Sequence, residues 1–136
     1  MVRPSRIIAS IPLLLWMAFV VYLSLLPAKK LPRKLLRLDD FFLHAVIHAV
    51  FVFLAVAAWQ RYDVRSPAPR WLLLGTLCIS FSFGSLMEFL QSQLTTYRSA
   101  SLQDVMANTI GAVLMVLLLV VFDERRSKMP MVNKPK

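Results

Sequence analysis

Acidic residues are scarce in this chain: seven Asp and Glu stand among 136 residues, against sixteen Lys and Arg. There is one cysteine, Cys78, which excludes a disulfide framework and any thiol-pair metal motif. With three glycines in all, there is no glycine-rich phosphate loop. Internal repeats and low-complexity tracts are also absent. The most telling absence is charge itself, which is missing from long stretches of the sequence.

Those stretches hold what the chain has in excess. Its composition is 58% hydrophobic and its mean hydropathy is +0.64, against roughly 45–50% apolar residues in an ordinary globular domain. The apolar residues fall into four runs, at about 7–26, 41–59, 71–90 and 105–122. The first and last carry no charge, the second is broken only by His44 and His48, and the third only by Glu88. Each run of about 20 residues, at about 1.5 Å per residue, crosses a hydrocarbon core of about 30 Å. Backbone polar groups in lipid must be satisfied within the segment, so each run reads as a helix. The expected fold is all-α: one polytopic membrane domain over 1–136, a four-helix transmembrane bundle ending in a basic cytoplasmic tail at 123–136. The first run follows Arg3 and Arg6 but is longer than a signal-peptide core and has no cleavage pattern, so it reads as a retained span.

The basic residues sort by side. Arg3, Arg6, Arg61, Arg65, Arg70, Arg125, Arg126, Lys128, Lys134 and Lys136 lie at one membrane face; Lys29, Lys30, Arg33, Lys34, Arg37 and Arg98 lie at the other. The excess of cations on the first side places both termini in the cytoplasm. With the cations divided between two membrane faces and no aromatic–basic patch, a nucleic-acid partner is excluded. In the first loop, Leu31, Leu35 and Leu38 recur at helical spacing with Lys34 and Arg37 turned away. That is the pattern of a short interfacial amphipathic helix contacting anionic lipid through Lys29, Lys30, Arg33, Lys34 and Arg37. The plainer alternative is cations flanking a span and snorkelling to phosphates.

The polar residues inside the spans gather at the same face as that loop. Asp40, His44 and His48 repeat every four residues and share one helix face; Glu88 and Gln91 share another; Ser101, Asp104, Asn108 and Gly111 share a third. Small residues that permit close helix approach accompany them: Ala45 and Ala49; Gly75, Cys78, Ser82 and Ser85; Ala107 and Gly111. A carboxylate facing lipid is costly, so Glu88 and Asp104 are expected to turn inward and meet His44, Asn108 and Arg98 in a pocket at the outer membrane face.

In order, an acid four residues before a histidine ("DFFLH", Asp40–His44), "EFLQ" (Glu88–Gln91), Arg98 and "DVMANTIG" (Asp104–Gly111) resemble the VanZ-like membrane proteins. The resemblance runs from about Asp39 to the end of the fourth run. Phe41 stands where the family usually has a lysine, and His48 where it often has a tyrosine; if that lysine serves a ligand, Arg37 is the nearest replacement. The resemblance implies a multi-pass protein of the bacterial cell membrane, and the family takes its name from a member associated with teicoplanin resistance.

Three readings follow. In the first, His44, His48, Glu88, Gln91, Arg98, Asp104 and Asn108 bind an anionic ligand such as a polyprenyl-linked carrier, a phospholipid or a cell-wall intermediate, with no cofactor and no metal. Arginine supplies bidentate phosphate contacts and the lysines an attractive field. In the second, the chain is an intramembrane hydrolase. It would use His44, Glu88 and Asp104 in acid–base chemistry, or His44, His48 and Glu88 around a metal. The glutamate that follows the first histidine of the strong zinc motif is here Ala45. In the third, the polar network only orients the helices. Catalytic residues are not assigned, and neither is an oligomeric state.

Single cysteines placed at Ser66 and Ser99 in a Cys78→Ser background test the orientation. An impermeant thiol reagent applied to intact cells is expected to label position 99 and spare 66. The opposite pattern inverts the topology.

Overall fold

A computed structural model describes residues 5–27, 39–60, 67–95 and 100–127. Within them lie four helices and no strand: α1 Arg6–Leu25, α2 Asp40–Trp59, α3 Arg70–Leu94 and α4 Leu102–Ser127. Each is long and apolar enough to cross a membrane. The ends lie close to the apolar runs, except that α3 continues past Leu90 and α4 past Phe122. The beginning of the expected tail is therefore helical, and Asp123 folds back to accept the Ala68 N–H at 3.0 Å beside the start of α3. The interfacial helix expected around Leu31–Leu38 lies outside the described residues, as do Lys29, Lys30, Arg33, Lys34 and Arg37.

Successive helices run in opposite directions. Trp16, midway along α1, donates its indole N–H to the carbonyl of Ile47, in the first half of α2, at 3.2 Å, and Arg6 at the start of α1 lies over the ring of Trp59 at the end of α2 at 5.5 Å. The start of α2, the end of α3 and the start of α4 meet through His44, Glu88 and Asp104. So α2 and α4 run parallel, and α1 and α3 run against them. Helix α2 is central: it packs most extensively on α4 and also touches α1 and α3.

That α2–α4 contact is set by one glycine. A Cβ on Gly111 would run into the backbone carbonyl of Ala45, so the helices close to a distance that only hydrogen at this position allows. Away from the polar end, Phe51, Val52, Val56, Leu72, Leu73 and Ala112 form the apolar core, with Phe51 and Phe83 stacked at 5.6 Å. The outside is just as apolar. Leu15, Leu74, Ile79, Phe89 and Leu117 are all exposed, on a scale water would not tolerate and lipid requires.

Glu88 and Gln91 of α3 are buried as expected, but the small residues expected beside them are not. Gly75, Cys78 and Ser82 are exposed, and nothing lies within 4 Å of a Cβ built on Gly75. The buried row is instead Thr76, Ser80, Gly84, Glu88 and Gln91. Counting back in fours from Glu88 generates its first members. Burying the carboxylate therefore fixes the rotation of the whole helix, and the other small residues turn to lipid.

Gly111→Ala is expected to destabilise the bundle by about 1–3 kcal/mol through overpacking, whereas Gly75→Ala is neutral or mildly stabilising. Thermal unfolding in detergent reads both. Equal melting temperatures for the two variants would contradict the α2–α4 contact described here.

Candidate functional site

The cluster begins with the caps of two helices. Asp39 caps α2, its Oδ1 accepting the Phe42 N–H at 3.0 Å, which leaves the adjacent Asp40 carboxylate free of that duty. Ser101 precedes α4, and its Oγ accepts the Asp104 N–H at 3.3 Å. An acid placed three residues after such a cap ordinarily reaches back to the cap's own N–H. Here Glu88 of α3 takes that N–H, with Oε2 3.2 Å from Ser101 N. Asp104 is thereby released to point at α2. The partial positive charge at a helix N-terminus favours carboxylates at each of these places.

His44 stands at the centre. Its Nδ1 is 3.1 Å from Asn108 Oδ1 and 3.9 Å from Glu88 Oε1. Its Nε2 is 3.8 Å from Asp40 Oδ1 and 3.9 Å from Asp104 Oδ2. An amide oxygen only accepts, so the Nδ1 contact with Asn108 is a hydrogen bond that the ring donates. That places the lone pair of the neutral ring on Nε2, between two carboxylates. The side chains of His44 and Asp104 are 15% and 17% exposed, Glu88 only 4%, while Asp40 at 64% forms the open rim.

One turn deeper the network changes character. His48 is buried, and its Nδ1 lies 2.8 Å from Ser80 Oγ. Its ring faces Phe51 and Phe83, each with its centroid 6.2 Å away. Gly84 makes room at this level, since a Cβ there would meet Asn108 Nδ2 at 2.8 Å and His48 Cε1 at 2.9 Å. A small cavity of about 20 Å³ is lined by Ser24, His44, His48, Glu88, Gln91, Asn108 and their apolar neighbours. That is room for a single water among polar partners, not for an organic ligand.

Of the residues singled out in the sequence, His44, Glu88, Asp104 and Asn108 come together. Gln91 is buried on the cavity wall, and its carbonyl accepts from Thr95 Oγ1 at 2.6 Å. Arg98 lies outside the described residues. The metal set read from the sequence, His44 with His48 and Glu88, lines one small cavity, with Nδ1 of His48 on Ser80 Oγ. Among the described residues, Asp40, His44 and Asp104 bring their ligand atoms within 4.8 Å of one another. Ser80, Gly84 and Asp40 were not singled out as site residues. The fourfold spacing from Glu88, and from His44 back to Asp40, was the signal that pointed to them.

The His48–Ser80 bond is expected to be structural. Ser80→Ala leaves a buried ring nitrogen unpaired, at a cost of about 1–3 kcal/mol. The double variant His48→Phe, Ser80→Ala should lose less than the two single changes added together. Thermal unfolding of the four proteins measures this coupling; strict additivity would show that the pair does not interact.

A family model described as VanZ/LLP1 matches residues 9–123, which takes in all four helices except their outermost residues. No curated protein and no solved structure matches the chain.

Proposed function

The chain belongs to the VanZ/LLP1 family and is a multi-pass membrane protein, and from this together with the site we propose that it binds the headgroup of an anionic, lipid-linked envelope intermediate. In this reading the protein sits in the bacterial cell membrane with both termini cytoplasmic and the His44 cluster facing outward. The supporting observation is the cluster itself: Glu88, His44, Asp104 and Asn108, drawn from three spans, meet beside an open rim at one membrane face. Ionisable groups this close to lipid are expensive, and such groups commonly mark ligand or ion pathways. The carboxylates accept hydrogen bonds from sugar hydroxyls or peptide N–H groups. Lys29, Lys30, Arg33, Lys34, Arg37 and Arg98 supply the positive field for phosphate. Because the cavity beside His44 is so small, the lipid tail stays in the bilayer and only the headgroup engages. A consequence for the cell would be altered susceptibility to a glycopeptide such as teicoplanin, which acts on the same class of intermediate.

A second reading, an intramembrane hydrolase, draws on one specific observation. The Nε2 lone pair of His44 is aimed between Asp40 and Asp104 while Asn108 holds the other ring nitrogen. That is an arrangement suited to a general base.

Protein reconstituted in nanodiscs, titrated with a polyprenyl phosphate and with the corresponding polyprenol, separates the headgroup from the chain. The phosphate is expected to raise the melting temperature and the alcohol to leave it unchanged. Asp104→Asn and Arg98→Gln should each weaken the phosphate effect at least tenfold in concentration. An equal response to both lipids would overturn the headgroup reading, and steady release of inorganic phosphate would favour the hydrolase.

A further inference from the structure

A difficulty in the cluster points beyond headgroup binding. Asp40, Glu88 and Asp104 all lie within 3.9 Å of one imidazole, so a site meant for an anion presents a concentration of negative charge. Glu88 has its own role at the Ser101 N–H. Asp40 and Asp104 do not: Asp39 caps α2 in place of Asp40, and Glu88 takes the backbone contact that Asp104 would otherwise make.

We propose that Asp40, His44 and Asp104 form a binding site for one divalent cation of the manganese-to-zinc class, open to water at the rim of the bundle. The distances carry it. Nε2 of His44 lies 3.8 and 3.9 Å from the two carboxylate oxygens, too far for hydrogen bonds. Two ligands that share an ion, each with a bond of about 2.0–2.2 Å, lie no more than about 4.4 Å apart, so both separations from Nε2 accommodate an ion, and the three ligand atoms lie within 4.8 Å of one another, a spread that a small shift of the exposed Asp40 side chain closes. The donor types fit as well: one imidazole nitrogen with carboxylate oxygens suits manganese, iron or zinc better than calcium.

Orientation is the second argument. A metal-bound histidine characteristically gives its remaining N–H to an oxygen that fixes the ring. Asn108 does this for His44 at 3.1 Å, and Asn108 is itself buried against Gly84. Asp104 and Asp40 project from the first turns of two parallel helices locked together at Gly111 and Ala45. Three protein ligands leave coordination positions for water or a ligand oxygen, and the exposed Asp40 lies on that open side. A cation held here would also accept a phosphate oxygen directly, a role that rests on the headgroup reading, whereas the cation site does not.

Chelator-stripped protein in detergent, titrated with Mn²⁺ by electron paramagnetic resonance and with Zn²⁺ by calorimetry, tests the site without any lipid. One ion per chain is expected, with a metal-dependent rise in melting temperature. His44→Gln and Asp104→Asn should weaken binding at least tenfold and abolish that rise, and Asp40→Asn should weaken it less. Absence of binding at millimolar metal by the folded wild-type protein overturns the proposal, whether or not the variants fold. A His48→Gln loss equal to that of Asp104→Asn also overturns it. Polyprenyl phosphate added with and without chelator then addresses the two ideas separately. Binding that survives metal removal leaves the cation site standing but denies it the bridging role, and lipid that fails to bind even with metal present sinks the headgroup reading alone.

Discussion

Everything at the polar end depends on how closely α2 and α4 approach. They run parallel, so their N-termini lie side by side, and Gly111 against the Ala45 carbonyl sets their separation. Two helix N-termini at one end create a region of positive potential inside an otherwise apolar bundle. That potential explains how a chain with so few acids places Asp39, Asp40, Glu88 and Asp104 together. Wider spacing at Gly111 would move Asp104 and Asn108 away from His44, and the cluster would separate into isolated groups near lipid, each costlier than the assembled set.

Glu88 extends the same constraint to the third helix. Its carboxylate is buried and bonded to the N-terminus of α4, so α3 can rotate only as far as that bond permits. The row Thr76–Ser80–Gly84 is turned inward as a result, which brings Ser80 to His48 and lets Gly84 accommodate Asn108. One backbone contact thus sets the rotation of α3, frees Asp104 and defines the level at which His48 finds its partner.

The architecture was readable in the sequence because hydropathy and helical length act locally. Runs of apolar residues placed the spans, and fourfold spacing placed Asp40, His44 and His48 on one face and Asp104, Asn108 and Gly111 on another. Two things were not readable. The rotation of α3 was ambiguous because small residues lie on both of its sides, and a serine exposed to lipid looks the same in sequence as one facing the core. Only the cost of exposing Glu88 distinguishes them. The exchange of capping partners between Glu88 and Asp104 was hidden for another reason. It depends on where the end of α3 meets the start of α4, a tertiary distance that no local spacing encodes.

The polar network divides into two layers that answer to different physics, and this bears on whether it is scaffold or site. In the lower layer His48 and Ser80 satisfy each other among stacked aromatic rings, and nothing there is accessible to a ligand. Such a pair orients helices and needs no other role. In the upper layer one side of His44 is fully engaged, while the other faces two carboxylates at distances too long to hydrogen-bond and too short to ignore. A network selected only to hold helices together would close those gaps, because each unmade bond near lipid forfeits stability. Among the described residues Nδ1 is fixed and Nε2 has no hydrogen-bond partner, the arrangement that the proposed site would require of its last, external partner.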